Sequence, residues 1–227
     1  MRATLRFGCL LAALAVASGC EERIETSDAH SKQAASPVTT GSVSREELIG
    51  DLRDRDFDAS IAAFNRVKGM TYQGEILPTV VQLWNGKIET MGGVTEEFVT
   101  KPRIRIELAD ILIQSASRGK STVPIDEIAR FARTAATSSD EDVAGEAILV
   151  LGERGDARDL PIIREAILSE KEGVFGKAVL ALALHCSADG KLVEELVRQV
   201  KLPRDREAIR TTWDTAKDHR GVMCLPS

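Results

Sequence analysis

The stretch that decides the fold covers residues 142–168, DVAGEAILVLGERGDARDLPIIREAIL. Val143, Ala147, Val150 and Leu151 recur at the three- and four-residue spacing of one helical face. Gly155 and Asp156 interrupt the pattern, and a glycine just past a periodic run is how helices commonly end. Leu160, Ile163, Ile167 and Leu168 then form a second stripe. Pro161 falls in its first turn, where a missing N–H leaves no intrahelical bond unmade. The stretch reads as a helical hairpin. Residues 173–200, GVFGKAVLALALHCSADGKLVEELVRQV, keep the same order of apolar helix, Ala-Asp-Gly turn and amphipathic helix.

Outward from this unit the breaks repeat. Leu77-Pro78, Val123-Pro124 and Leu160-Pro161 each open or precede an amphipathic helix, with prolines 46 and 37 residues apart. Upstream of each the periodicity predicts another helix, over 57–68, 103–117 and 142–154. Residues 85–100, NGKIETMGGVTEEFVT, interrupt the spacing as an insertion. The folded part begins at Ser44, where Ser44-Arg45-Glu46-Glu47 reads as a capping box, with Val43 and Leu48 as its hydrophobic staple. The helix over 174–186 is apolar nearly all round and requires cover on two sides. The one over 204–217 carries a single stripe, Ala208, Ile209, Trp213 and Ala216, with charge opposite. A terminal unit with a polar outer face is what a stacked array needs, and a repeat of about 30–45 residues argues for an α-solenoid.

The segment LGERGDARDLPIIREAI, 151–167, resembles the HEAT-like repeats first named for phycobilisome lyases, and the likeness extends over roughly residues 50–200. It implies an all-α fold: a right-handed α-solenoid of HEAT-like helical hairpins, with about four units plus a capping helix, over 44–220, followed by a tail, 221–227. In such solenoids the second helix of each unit usually lines the concave face. The resemblance therefore points to a binding surface that includes Gln82, Trp84, Arg130, Arg133, Arg164 and Arg198, with Asp126, Glu165, Glu194 and Gln199 beside them. The mixture of signs fits a protein or peptide ligand better than a polyanion. Trp84 has two readings, packing between repeats or an anchor for a partner, since tryptophan is enriched in binding hot spots.

The amino terminus reads as an export signal. Arg2 and Arg6 precede an eleven-residue apolar run, 7–17, too short to span roughly 30 Å of hydrocarbon. Ala17-Ser18-Gly19-Cys20 resembles a bacterial lipobox, departing from it at Ala17, where leucine is usual. The resemblance implies removal of 1–19, acylation of Cys20 as the new amino terminus, and a lipoprotein held in the bacterial cell envelope. Glu21, rather than an aspartate, implies by the enteric rule the outer membrane, facing the periplasm. Residues 20–43 then form an acylated Cys and a disordered tether, rich in Ser, Thr, Ala and charge. Twenty-three flexible residues reach about 25–30 Å on average. Export removes Cys9 and acylation consumes Cys20, so Cys186 and Cys224 remain as two thiols in an oxidising compartment. We expect a disulfide between them.

Composition narrows the function. The chain has 227 residues, 43% hydrophobic, 4% aromatic and 29% charged, with a formal charge of −5. Loss of Arg2 and Arg6 makes the mature chain more negative still, which argues against nucleic acid as a partner. His185 and His219 stand in no metal-ligand spacing. His185-Cys186 looks like a ligand pair, but adjacent helical residues point about 100° apart, so a packed helix end is expected. Gly92-Gly93 matches no phosphate-cradling loop, and Ser115-Ala116-Ser117 reads as a helix end. No catalytic residue, metal or cofactor is expected, and the chain reads as a non-enzyme. The leading reading is a lipid-anchored periplasmic scaffold that binds another envelope protein or peptide and meets the membrane only through its acyl chains. The alternative is an accessory or chaperone-like subunit of an envelope enzyme or assembly machine. If the lipobox reading holds, Cys20→Ala leaves the protein unprocessed or soluble; a variant that still partitions into detergent with the wild type overturns it.

Overall fold

In the computed structural model, which describes residues 43–68, 76–117 and 123–216, the N-cap half of the expected capping box forms at Ser44, while the Glu47 carboxylate meets Arg66 instead. Ser44 Oγ accepts the amide of Glu47 at 3.0 Å, and both members of the staple, Val43 and Leu48, are buried. Helix α1 (Arg45–Asp54) follows and ends where Arg55 turns left-handed at φ 58°. Then come α2 (Phe57–Lys68), α3 (Leu77–Trp84), a single-turn α4 (Glu96–Val99), α5 (Pro102–Ser117), α6 (Ile125–Ala135) and α7 (Glu141–Arg154). The chain continues through α8 (Leu160–Leu168), α9 (Glu172–Leu184), α10 (Gly190–Gln199) and α11 (Pro203–Ala216). Among the described residues there is no strand. The export signal, Cys20, the tether as far as residue 42, and the tail with Cys224 lie outside the described residues.

Local chemistry explains the boundaries. Pro78 and Pro161 lie in the first turns of α3 and α8, and Pro124 stands just ahead of α6. Asp140 caps α7 by accepting the amides of Asp142 and Val143, and Asp189 caps α10 through Leu192. Gly155 closes α7 at φ 71°, a conformation that side chains with a Cβ rarely adopt. The apolar helix expected over 174–186 stops at Leu184, and His185 turns extended as its cap. The 85–100 insertion is packed rather than loose: Met91, Val94, Phe98 and Val99 are all buried.

The helices stack in a row, with α2 against α5, α5 against α7, α7 against α9 and α9 against α11. The intervening helices pack on their flanks: α3 on α5, α6 on α5 and α7, α8 on α7 and α9, α10 on α8 and α11. Two apolar cores result. One joins Leu48, Phe64, Leu83, Phe98 and Leu112 to Val143, Ala147, Val150 and Leu151 of α7. The other joins Ala144 and Ile148 of the same helix to Ile163, Val179, Leu196 and Ile209. The two-sided cover required by the apolar α9 is supplied by α7, α8 and α11.

The closest approach is between α7 and α9. A Cβ placed on Gly152 would lie 2.5 Å from the Cα of Ala181 and 2.6 Å from its carbonyl oxygen. Backbone cannot move aside as a flexible side-chain tip can. Gly152→Ala is therefore expected to lower stability by about 1–3 kcal/mol through overpacking, even though alanine is the better helix former. Chemical denaturation checks this, and an unchanged or raised midpoint would show that the two helices are free to separate.

Candidate functional site

The six residues expected on a binding face have different fates. Trp84 is 3% exposed. Its indole N–H donates to Glu127 Oε1 at 2.7 Å, the Arg105 guanidinium stacks 4.0 Å from the ring centre, and Phe131 meets it edge-on at 5.6 Å. Of its two readings, this position is the packing one. Arg105 also donates to the Trp84 carbonyl at 3.0 Å, so one guanidinium ties α5 to the end of α3. Gln82 is half-buried on α3. Arg164 bridges from α8 to α10, donating to Glu195 Oε1 at 2.6 Å and Gln199 Oε1 at 3.3 Å. Arg130 on α6 and Arg198 on α10 are exposed and form no ion pair with the described residues.

Arg133 belongs to a charged knot at the turn between α7 and α8. It donates to Asp159 Oδ1 at 2.7 Å, while Arg154 donates to Asp159 Oδ2 at 2.9 Å. Asp159 is wholly buried, so its charge is tolerated only because two guanidinium groups meet it. Arg154, itself buried, also reaches Asp126 Oδ1 and Asp156 Oδ2, each at 2.9 Å. Hydrogen bonds from the side chain and backbone of Arg158 hold the Asp156 carboxyl well below the usual carboxylate range. Arg154 therefore fastens the end of α7 to α6 and to the turn that launches α8.

Beside this knot lies the His185-Cys186 pair. His185 is wholly buried. Its Nδ1 accepts the Ser187 amide at 3.1 Å, which leaves Nε2 to donate to the Asp156 carbonyl at 2.9 Å. The ring is thus a strut between the end of α9 and the turn after α7, the packed helix end expected for it. Cys186 is disulfide-bonded, and its expected partner, Cys224, lies outside the described residues. A Cβ on Gly155 would meet Cys186 Sγ at 2.9 Å, so this corner too is closely packed.

A second polar feature, which the sequence reading did not find, runs along the helix row. On α2 it comprises Asn65 and Lys68; on α5, Arg103, Glu107, Asp110 and Gln114; on α7, Asp142, Glu146 and Glu153. Steps of three, four and seven residues keep each set on one helical face. Lys177 of α9 closes it, 2.9 Å from Glu146 Oε1 and 4.0 Å from Asp142 Oδ1. Here the surface dips into a hollow of about 110 Å³ lined by Asn65, Arg103, Glu107, Asp142, Glu146 and Lys177, among others. A wider hollow of about 420 Å³ adjoins it, lined by Phe57, Lys101, Pro102, Arg103, Ser138, Asp140 and Val143. Both hollows lie along α2, α5, α7 and α9, whereas the expected binding residues lie on α3, α6, α8 and α10.

The deep end of this seam is buried. Lys68 Nζ lies between Glu107 Oε2 and Asp110 Oδ2, the latter at 2.6 Å. Burial alone would depress the ammonium, but Asp110 and Glu107 more than reverse this, and it stays charged well above the usual lysine range. Burial pushes Glu107 up, with Lys68 opposing. Glu153 is pushed up strongly, first by burial and then by the charge of Asp110, to which it is hydrogen-bonded. Three carboxyls thus share one ammonium. The available signal was Glu107 and Asp110 inside IELADILI, a run buried on every side of α5.

Among the described residues no group of three or more His, Cys, Asp or Glu side chains is arranged to hold a metal ion, and no helix is long and apolar enough to cross a membrane. Removing Arg154 tests the charged knot. Arg154→Met should cost about 3 kcal/mol by leaving Asp159 half-compensated in the interior. Arg154→Met combined with Asp159→Leu should recover part of that loss, as measured by denaturation midpoints. A loss in the double variant equal to the sum of the losses of Arg154→Met and Asp159→Leu would mean that the pair is not coupled. No family model, curated protein or solved structure matches the chain, so these assignments stand on its own geometry.

Proposed function

We propose that this chain is a lipid-anchored periplasmic scaffold, a right-handed α-solenoid of HEAT-like hairpins that binds another envelope protein or peptide. The helix row supports the architecture, because each first helix packs on the next while the second helices lie along its flank, the arrangement that stacked hairpins produce. The Gly-Cys at the end of a short apolar run supports the anchor. We read the partner as an acidic protein surface or peptide, met by the second helices.

The observation that carries this reading is the pair of exposed, uncommitted cations on the second helices, beside Arg133 and Arg164, which are held by Asp159 and Glu195. Along the first helices the cations are committed: Lys177 to Glu146, Arg103 to Asp142, and Lys68 to Glu107 and Asp110. On the second helices, Arg130 and Arg198 project from strongly one-sided α6 and α10 without such a commitment. An exposed guanidinium pairs with a carboxylate in two parallel hydrogen bonds, which gives both orientation and selectivity. Crosslinking in intact cells, followed by mass spectrometry, tests the proposal. Wild-type protein should yield a recurrent envelope partner, and Arg130→Glu with Arg198→Glu should weaken its capture at least about tenfold if each pair contributes roughly 1 kcal/mol. Undiminished capture by that variant would move the interface to another face. A protein that captures nothing would overturn the scaffold reading.

A further inference from the structure

Glu153 has no place in the function proposed above; the residue is half-buried, but its carboxyl end is enclosed in the helix row. It projects from the last turn of α7 toward α5, and its Oε2 is buried without a hydrogen-bond partner. The groups that face it among the described residues come from each neighbouring helix of the row. Asp110 and Gln114 come from α5, and Lys68 comes from α2. Glu107 and Glu146 are the next carboxyls along the seam, the latter already held by Lys177 of α9. The only ammonium at this end, among the described residues, is Lys68, and it is already bracketed by Glu107 and Asp110. Gln114 donates to Asp110 at 3.0 Å.

Two carboxylates cannot hydrogen-bond to each other when both are ionised, because each offers only lone pairs. A proton between them turns repulsion into a short, charge-assisted bond. We propose that Glu153 of α7 and Asp110 of α5 hold one proton between them, and that this proton clamps α7 onto α5, so that the helix row tightens when it is bound and loosens when it is withdrawn. No covalent bond forms or breaks; the proton is exchanged with solvent. The clamp stands on the contacts of three packed helices and does not depend on where the protein resides or what it binds.

The sign follows from linkage. A carboxyl that the folded chain protonates more readily than the unfolded chain does stabilises the fold fully at low pH. That contribution is lost as pH rises through the folded-state value. Burial and Asp110 both push Glu153 in this direction. The proton should therefore be held to higher pH than on an ordinary glutamate, and neutral pH, where ordinary glutamates are ionised, is where its presence is tested.

The test uses the full chain. Thermal melting from about pH 5 to about pH 9 should show the wild-type Tm falling by several degrees toward the alkaline end. Glu153→Gln keeps a hydrogen-bond donor at the site but cannot ionise, and should flatten that fall. Infrared spectroscopy at neutral pH should show the C=O stretch of a protonated carboxylic acid in the wild type and its loss in Glu153→Gln, which separates Glu153 from Glu107. Should that variant not fold, Asp110→Asn supplies the second reading: with its repelling neighbour gone, Glu153 should lose its carboxylic-acid band at lower pH than in the wild type. The proposal is overturned by parallel pH profiles of wild type and Glu153→Gln, by a wild-type Tm that rises toward alkaline pH, by no acid band at neutral pH, or by an unmoved band in Asp110→Asn.

Discussion

The close contact of α7 with α9 is the constraint on which the rest of the molecule depends. α7 supplies side chains to both apolar cores, Val150 and Leu151 to one and Ala144 and Ile148 to the other. It can do so only if the neighbouring helix comes near enough to leave no void beside it. Gly152 against Ala181 permits that approach, and Gly145 makes room for the stem of Lys177. At the start of α9 the Gly173 amide donates to Glu141 Oε2 at 3.1 Å, where a larger residue would collide with that carboxyl. Small residues at three levels hold the helices in one register. Sliding α9 by a turn would bring side chains against the backbone where none can fit.

With α7 fixed, its final turn becomes a junction. Glu153 and Arg154 are adjacent, and consecutive helical residues point about 100° apart. One therefore enters the seam with α5, and the other the knot with α6 and the turn before α8. The two polar networks have different chemistry. The knot pairs carboxylates with guanidinium groups that remain charged at any ordinary pH. The seam assembles more carboxyls than cations. Burying such groups is costly, and replacement by apolar side chains is often neutral or stabilising in proteins. What charge contributes here is discrimination: an apolar seam tolerates several alignments of α2, α5 and α7, whereas Lys68 meets Glu107 and Asp110 together in only one.

Much of the helical architecture was legible in the sequence, because its signals are local. Ser44 with Glu47, the prolines at 78, 124 and 161, and Gly155 after a periodic run each act within a turn or two of chain. The apolar α9 announced its burial by having no polar face. Of the polar seam only Glu107 and Asp110, set in an apolar run, left a trace in the sequence; Lys68 and Glu153 lie far from them in the chain, and nothing local marks the three helices as partners. Only the stacking of three helices brings them together. Trp84 shows the same limit in reverse: its type favoured a packed ring but left an exposed anchor open, and Arg105, Glu127 and Phe131, which enclose it, come from two other helices.

The two apolar cores also divide the tryptophans between them. Trp84 lies in the core built on α1 to α7, under the guanidinium of Arg105 and bonded to Glu127. Trp213 packs half-buried against the core built on α7 to α11. One indole sits beside a cation and a carboxylate in a dry interior, and the other lies at the margin of the last helix. Their emission thus originates in separate halves of the molecule and in different surroundings. The protein carries an optical label for each side of α7, and melting of one half ahead of the other would be visible without any added dye.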